Sequence, residues 1–449
     1  MSNQGKLSIK EKIGYGLGDT ASNLYFQMYI NFLLFFYTDI FGIPAAVAGT
    51  MFMVTRFWDA INDPMMGIIA DRTNTKHGKF RPYLLWMMFP MAVIGVLMFT
   101  TPNLSVTGKI VYAYITYIAM MMAYTAINIP YSALMGVLTP SSAERTSAST
   151  YRFVLAFAGA FIIQGATLPL VKFFGKDNQA VGFPITMGVF GILAMAMFYI
   201  TFKTTKERVQ PPAKQKTSLK NDLKDLMGNT PWMILLVMGI FTLGYVIIRM
   251  GTIMYYFKYY IGSEILAGTF MMAGTVAVIA GTAMTQYLSK LMGKKKLYLI
   301  AMGLSTLLTM VFYYIPKDQI GMIFFIHILI SLVMAPQAPL IWAMYADTAD
   351  YSEWKNGRRA TGLVFSAATF SQKFGMAIGG GLAGWLLAAF NFEPNTVQSP
   401  ETLMGIKLMM SYIPAGATVI AVIAALFYPL SDKKMAEIEK DLKERNAQV

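Results

Sequence analysis

Cysteine is absent from the 449 residues, which excludes disulfides and thiolate metal sites and leaves redox compartment unmarked. Histidine is nearly absent. His77 lies in a basic loop and His327 inside an apolar run, so no zinc cluster is expected. Charge is scarce: Asp, Glu, Lys and Arg make up 13% of the chain, against roughly 25% in a soluble domain. A water-facing surface cannot be built from so little. Residues 1–12 are polar and basic with no short apolar core before a cleavage site, so no cleaved signal peptide is expected. A nucleophile–base constellation and an appended soluble domain are missing too, which argues against an enzyme or a membrane sensor.

Apolar residues are abundant, at 56% of the chain, and they fall in long continuous runs. About twenty residues rising about 1.5 Å each cross a hydrocarbon core of about 30 Å. Because the runs do not alternate, helices rather than a barrel follow. The spans read as 13–41, 46–70, 83–101, 110–134, 151–171 and 180–202. After a polar interval come 232–259, 265–288, 297–315, 320–345, 363–390 and 408–428. The expected fold class is an all-α membrane protein with twelve transmembrane helices in two six-helix bundles.

The net charge is +14, and its distribution excludes nucleic acid as a partner. With both termini cytoplasmic, the inside segments hold Lys6, Lys10, Lys12, Arg72, Lys79, Arg81, Arg145, Lys203 and Arg208 among others. The outside loops hold Lys109, Lys172, Lys176, Lys258, Lys317 and Lys407. That asymmetry is the positive-inside rule along the whole chain, and it places a multi-pass protein in the cell's inner (plasma) membrane.

The interval 203–230 contains seven Lys or Arg and the pair Pro211-Pro212, and it divides the apolar runs six and six. The chain therefore reads as a bundle over 1–202, a cytoplasmic loop over 203–230 with a short surface helix near 219–227, a second bundle over 231–430, and a tail over 431–449. The tail is amphipathic and charge-mixed, as in a solvated helix. A basic loop follows the second helix of each half, Gly78-Lys79-Phe80-Arg81 and Gly293-Lys294-Lys295-Lys296, as two repeated bundles would show. Gly14, Gly16 and Gly18 imitate a dinucleotide loop, but the third glycine is misplaced and no strand precedes them. They read instead as close helix contacts, like Gly375, Gly379, Gly380, Gly381 and Gly384.

An ionisable side chain in hydrocarbon costs at least about 2.5–3.5 kcal/mol, so those that remain point to function. They are Asp19 in the first helix, Arg56, Asp59 and Asp63 in the second, Arg249 in the seventh and Lys373 in the eleventh. Residues 56, 59, 62 and 63 share a helical face. Asp59 and Asp63 one turn apart, with Asn62 beside them, offer an oxygen-rich pocket for a hard cation, or a carboxylate that carries a proton. Arg56 neutralising Asp59 as a buried pair is the structural reading, and it leaves Asn62 and Asp63 unexplained. Lys373, flanked by Thr369 and Gln372, needs water, a carboxylate or an anionic ligand. For Arg249, a functional role and snorkelling to the interface stand level.

The strings Tyr37-Thr-Asp39, Trp58-Asp59-Ala-Ile-Asn62-Asp63-Pro64, Gly78-Lys79-Phe80-Arg81-Pro82, Asn128-Ile-Pro130-Tyr131 and Ala346-Asp347-Thr-Ala-Asp350-Tyr351 run from the first helix into the second half. In them the chain resembles the glycoside–pentoside–hexuronide:cation symporter family, the melibiose-permease-like branch of the major facilitator superfamily. The resemblance implies the major facilitator fold and alternating access about a central sugar site. It implies a cation site of Asp59, Asn62, Asp63 and Thr125. It implies Tyr124, Arg152, Thr369 and Lys373 at the sugar site, and cytoplasmic gating by Asp347, Asp350, Arg358 and Arg359.

Melibiose permeases carry sugar-gripping aspartates where this chain has Asn23 and Asn128, and a tryptophan where it has Ser132. The Asn-Ile-Pro-Tyr string is more similar to glucuronide and xyloside carriers. With Gln27, Asn31 and Gln372, these asparagines favour a sugar over the lipid or drug that other transporters of the superfamily carry. Asn62 and Thr125 add neutral oxygens that a proton does not need, which favours Na⁺ as coupling ion, with H⁺ as the alternative. No cofactor is expected. The expected partners are a small sugar or glycoside, the coupling cation and the lipid bilayer.

Overall fold

A computed structural model describes residues 6–208, 227–357 and 361–447. Among the described residues there is no strand, and the expected all-α class is what the chain adopts. The helices pack into two compact units. The first is 1–213 with 263–272 and 392–397, and the second is 214–262, 273–391 and 398–449.

In the first unit the helices are α1 (Ile9–Met28), α2 (Ala45–Arg72), α3 (Arg81–Met98), α4 (Val106–Leu138), α5 (Ser142–Gly175) and α6 (Gln179–Thr204). The first begins earlier than expected because Ser8 caps it. Ser8 Oγ accepts from the Glu11 amide at 3.2 Å while Glu11 Oε2 accepts from the Ser8 amide at 3.1 Å, a capping box. Past Met28 it continues as π-helical turns over Tyr29–Leu33 and Phe36–Ile40. Tight packing explains the glycines. A Cβ on Gly16 would lie 3.0 Å from the Tyr151 carbonyl oxygen, and one on Gly159 would lie 2.9 Å from that of Thr20, so α1 and α5 meet backbone to backbone.

The second unit holds α7 (Thr230–Tyr255), α8 (Leu266–Met292, whose first turns cluster with the other unit), α9 (Lys294–Val311), α10 (Ile320–Met334), α11 (Gln337–Asn356), α12 (Thr361–Ala389), α13 (Pro400–Met410), α14 (Tyr412–Leu426) and α15 (Asp432–Ala447). Two expected spans are each divided by a turn. Pro336 has no N–H for the Leu332 carbonyl, and Pro414 none for that of Met410, so the backbone turns at 335–336 and at Ser411. A Cβ on Gly379 would stand 3.0 Å from the Gly244 carbonyl oxygen, which makes α7 and α12 another close pair.

Nine helices among the described residues are long and apolar enough to cross a membrane. The chain is a multi-pass membrane protein. Large apolar side chains such as Phe89, Ile192, Leu307 and Phe427 stand exposed, a surface suited to lipid rather than water. Three further long helices, α1, α2 and α12, carry most of the polar residues singled out above, and with them a total of twelve spans is consistent.

The tail departs from expectation. Met435 and Ile438 of α15 are buried in the core of the second unit, and Leu442 packs against it. The spacing of three and four puts these residues on one face. Trp354 Nε1 donates to Asp441 at 2.9 Å and Arg445 donates to the Trp354 carbonyl at 2.9 Å, so the helix is docked along one side. The surface helix expected near 219–227 lies outside the described residues but for Met227.

Candidate functional site

The α2 helix puts Asp59 and Asp63 one turn apart inside the first unit. Asp59 is 3% exposed, and Asn62 and Asp63 are half-buried. Thr125, 5% exposed on the neighbouring α4, donates from Oγ1 to Asp63 Oδ1 at 3.0 Å. That bond joins the two helices through two of the expected cation residues. Asn62 Nδ2 is buried without a hydrogen-bond partner among the described residues. The Arg56 side chain lies outside the described residues, so the Arg56–Asp59 reading has no geometry here.

Two prolines add a feature that the sequence reading passed over. Pro64 sits inside α2 and Pro130 inside α4. Neither can donate to the carbonyl four residues back, so the carbonyls of positions 60 and 126 lose their helical donors. Both positions adjoin the cluster in sequence, Ala60 beside Asp59 and Ala126 beside Thr125. The Asp59 and Asp63 carboxylates and the Thr125 hydroxyl are oxygen donors, the chemistry of a hard monovalent cation. Among the described residues no three His, Cys, Asp or Glu side chains gather to hold a metal ion, so the set is poor in charge.

The sugar candidates of the first unit fall on α1, α4 and α5. Asn23 Nδ2 donates to the Asp19 carbonyl at 3.0 Å, and Asn128 Nδ2 donates to that of Tyr124 at 3.1 Å. Each asparagine spends one N–H on its own helix and keeps an oxygen acceptor and a second N–H for a ligand. Tyr124 stacks on Phe26, with ring centroids 6.3 Å apart. Arg152 Nε donates to Asp19 Oδ2 at 3.0 Å, and its guanidinium lies 5.1 Å from the Tyr131 ring centroid. Tyr131 in turn stacks on Tyr15 at 4.7 Å. Asp19, flagged in the sequence without a partner, is thus the counter-ion of Arg152. A separation of 133 residues gave no signal of the pair.

In the second unit, α12 carries Thr369, which is exposed, and Gln372 and Lys373, which are half-buried. Ser371 between them faces inward and donates to the Leu236 carbonyl at 3.0 Å. Of the gating candidates, Asp347 on α11 pairs with Lys294 at the start of α9, and Asp350 lies one turn further along α11. Arg358 and Arg359 lie outside the described residues. Arg249 does not snorkel: it is 7% exposed, inside the second unit.

A family model described as MFS/sugar transport protein matches residues 14–432. A protein of Escherichia coli (strain K12) provisionally named glycoside/cation symporter YagG is 40% identical over 451 residues, covering 99% of this chain and 97% of that one. The isoprimeverose transporter of Lactiplantibacillus pentosus is 38% identical over 448 residues, covering 98% of this chain and 92% of that one. Among solved structures, a bacterial homolog of the human lysosomal transporter Spinster has a TM-score of 0.69 at 11% identity, covering 96% of this chain and 97% of that one; the likeness is one of fold.

Proposed function

Since the chain belongs to the MFS/sugar transport protein family, we propose that it is a secondary active transporter carrying a sugar or glycoside together with a cation by alternating access. The observation that carries the coupling is the oxygen cluster of α2 and α4, where Thr125 is bonded to Asp63 one turn from buried Asp59. Two carboxylates one turn apart, with the Thr125 hydroxyl beside Asp63, offer oxygen ligands of the kind a transported cation takes.

Asp59, Asn62, Asp63 and Thr125 form the cation site of this reading. Na⁺ is the ion it favours over H⁺, because the Thr125 hydroxyl and the Asn62 amide are ligands that a proton does not require. The sugar-binding residues of this reading are Asn23, Tyr124, Asn128, Arg152, Thr369, Gln372 and Lys373. Replacing two carboxylates by Asn23 and Asn128 lowers the repulsion an anionic sugar meets, and Lys373 attracts it, while Arg152, paired with Asp19, offers the N–H donors that the pair leaves over. Hexuronides are therefore admitted beside neutral pentosides and glycosides. Asp347, Asp350, Arg358 and Arg359 serve the gate. The bundles run over 1–202 and 231–430, with the loop 203–230, the tail 431–449 and both termini on the cytoplasmic side of the inner membrane, as the basic loops favour.

Sugar binding measured at fixed pH with and without external Na⁺ tests the ion. Linked sites raise each other's affinity by the same factor, so Na⁺ should tighten sugar binding. An affinity indifferent to Na⁺ and sensitive to pH would assign the role to H⁺.

A further inference from the structure

Arg249 lies on α7, one and a half turns before its end, with 7% of its surface exposed. Its described contacts are few. Nη1 donates to the Tyr245 hydroxyl at 3.2 Å, and that hydroxyl shares a hydrogen bond with Thr309 at 3.0 Å. The guanidinium carbon stands 5.8 Å from the Tyr245 ring centroid and 5.6 Å from that of Phe312. Among the described residues, Nε and Nη2 are buried with no hydrogen-bond partner and no carboxylate pairs with the cation.

Which two nitrogens are open matters. The Nε–H and one Nη2–H bond leave the guanidinium parallel to each other from one edge. That is the edge that grips a carboxylate or phosphate with two hydrogen bonds. A buried cation without a counter-ion is strongly unfavourable, and contacts with aromatic faces recover a small part of the loss. Irregular backbone lies on either side. The π-helical turn Tyr256–Ile261 continues α7, and the 3₁₀ turn Phe312–Tyr314 continues α9. Tyr256 and Phe312 meet across these turns with centroids 5.5 Å apart. A π-helical turn within a helix often marks a functional site.

We propose that Arg249, backed by Tyr245 and walled by Phe312 and Tyr256, is the anchor of an oxyanion-binding site in the second unit, separate from the cation and sugar residues assigned above. The ligand is a group with two coplanar anionic oxygens, either a small soluble carboxylate or the phosphate of a lipid headgroup. In a multi-pass protein both sources reach the ends of the helices.

Thermal unfolding of the full-length protein in dodecyl maltoside, a detergent without phosphate, provides the test, with wild type, Arg249→Met and Arg249→Lys compared. With chloride as the anion, Arg249→Met should unfold at a temperature equal to or above that of wild type, because a bare buried charge is removed. One arm replaces sodium chloride by sodium acetate at equal Na⁺, and the other adds phosphatidylglycerol to the detergent micelles. A ligand that binds the native state raises the midpoint. Wild type should therefore rise by several degrees in one of the arms, which identifies the source, while Arg249→Met stays put. Arg249→Lys, which keeps the charge and loses the fork, should respond less than wild type. Equal responses of wild type and Arg249→Met in both arms, or an Arg249→Met that unfolds below wild type in chloride or fails to fold, would overturn the site.

Discussion

Thr125 on α4 and Asp63 on α2 are tied by a 3.0 Å hydrogen bond in which the hydroxyl donates and the carboxylate accepts. A hydrogen bond to a charged group is worth about 1.5–3 kcal/mol. Thr125→Val removes the hydroxyl and keeps the shape. The Na⁺ concentration for half-maximal stimulation of sugar binding should rise roughly tenfold or more. Thr125→Ser should stay near wild type, and sugar binding without Na⁺ should be unchanged for both. A Val variant with normal Na⁺ dependence would remove Thr125 from the cation site.

The Arg152–Asp19 pair should matter to the sugar rather than to the ion. Arg152→Lys loses Nε and the flat contact with Tyr131 together. Equilibrium sugar binding should weaken by roughly tenfold or more, on the scale of one charge-assisted bond. The Na⁺ dependence of the residual binding should be preserved. A shift confined to Na⁺ dependence would reassign the pair.

Asn128 separates the effect of charge from that of shape. Its Nδ2 donates to the Tyr124 carbonyl, a bond that a carboxylate cannot make because it only accepts. Asn128→Asp should therefore turn its side chain away from α4's own backbone and put a negative charge beside the ligand. Competition assays with uronides, xylosides, glucosides and α-galactosides should show uronide binding falling further than neutral-sugar binding. Wild-type protein that prefers α-galactosides would mean that Asn23 and Asn128 do not set specificity as argued.

Docking of α15 is testable through Ile438, which is fully buried. Cutting a buried isoleucine to alanine costs about 2–5 kcal/mol. Ile438→Ala should lower the unfolding midpoint of the purified protein, whereas Glu444→Ala on the exposed face should not. Identical midpoints for the two variants would return the tail to solvent.

How much was legible in the sequence follows from where hydrocarbon makes a residue expensive. Asp59, Asp63 and Lys373 stand out because apolar neighbours surround them, so the oxygen-rich face of α2 and the isolated lysine of α12 are visible from spacing, whereas the sugar assignments come through family resemblance. The bond from Thr125 to Asp63 crosses between helices, and the sequence carries it only through family resemblance. Asp19 and Arg152 were each visible but not as a pair, since nothing local records a contact between α1 and α5. The tail misleads because Met435, Ile438 and Leu442 are a narrow apolar stripe in a segment dominated by charge. Pro336 and Pro414, inside apolar runs, predict breaks that hydropathy passes over.

Uphill transport tests the central claim most directly. Vesicles that contain the protein and start without internal sugar are given an inward Na⁺ gradient, or in parallel an inward H⁺ gradient, and the internal concentration of a labelled glycoside is followed. The wild type is expected to raise internal sugar above the external concentration under one of the gradients and to equilibrate it when the gradient is collapsed. Asp59→Asn and Asp63→Asn are each expected to lose accumulation while still exchanging internal for external sugar in vesicles preloaded with it. Sugar that never exceeds its external concentration under either gradient, or variants that accumulate as well as wild type, would contradict coupling through the α2 carboxylates.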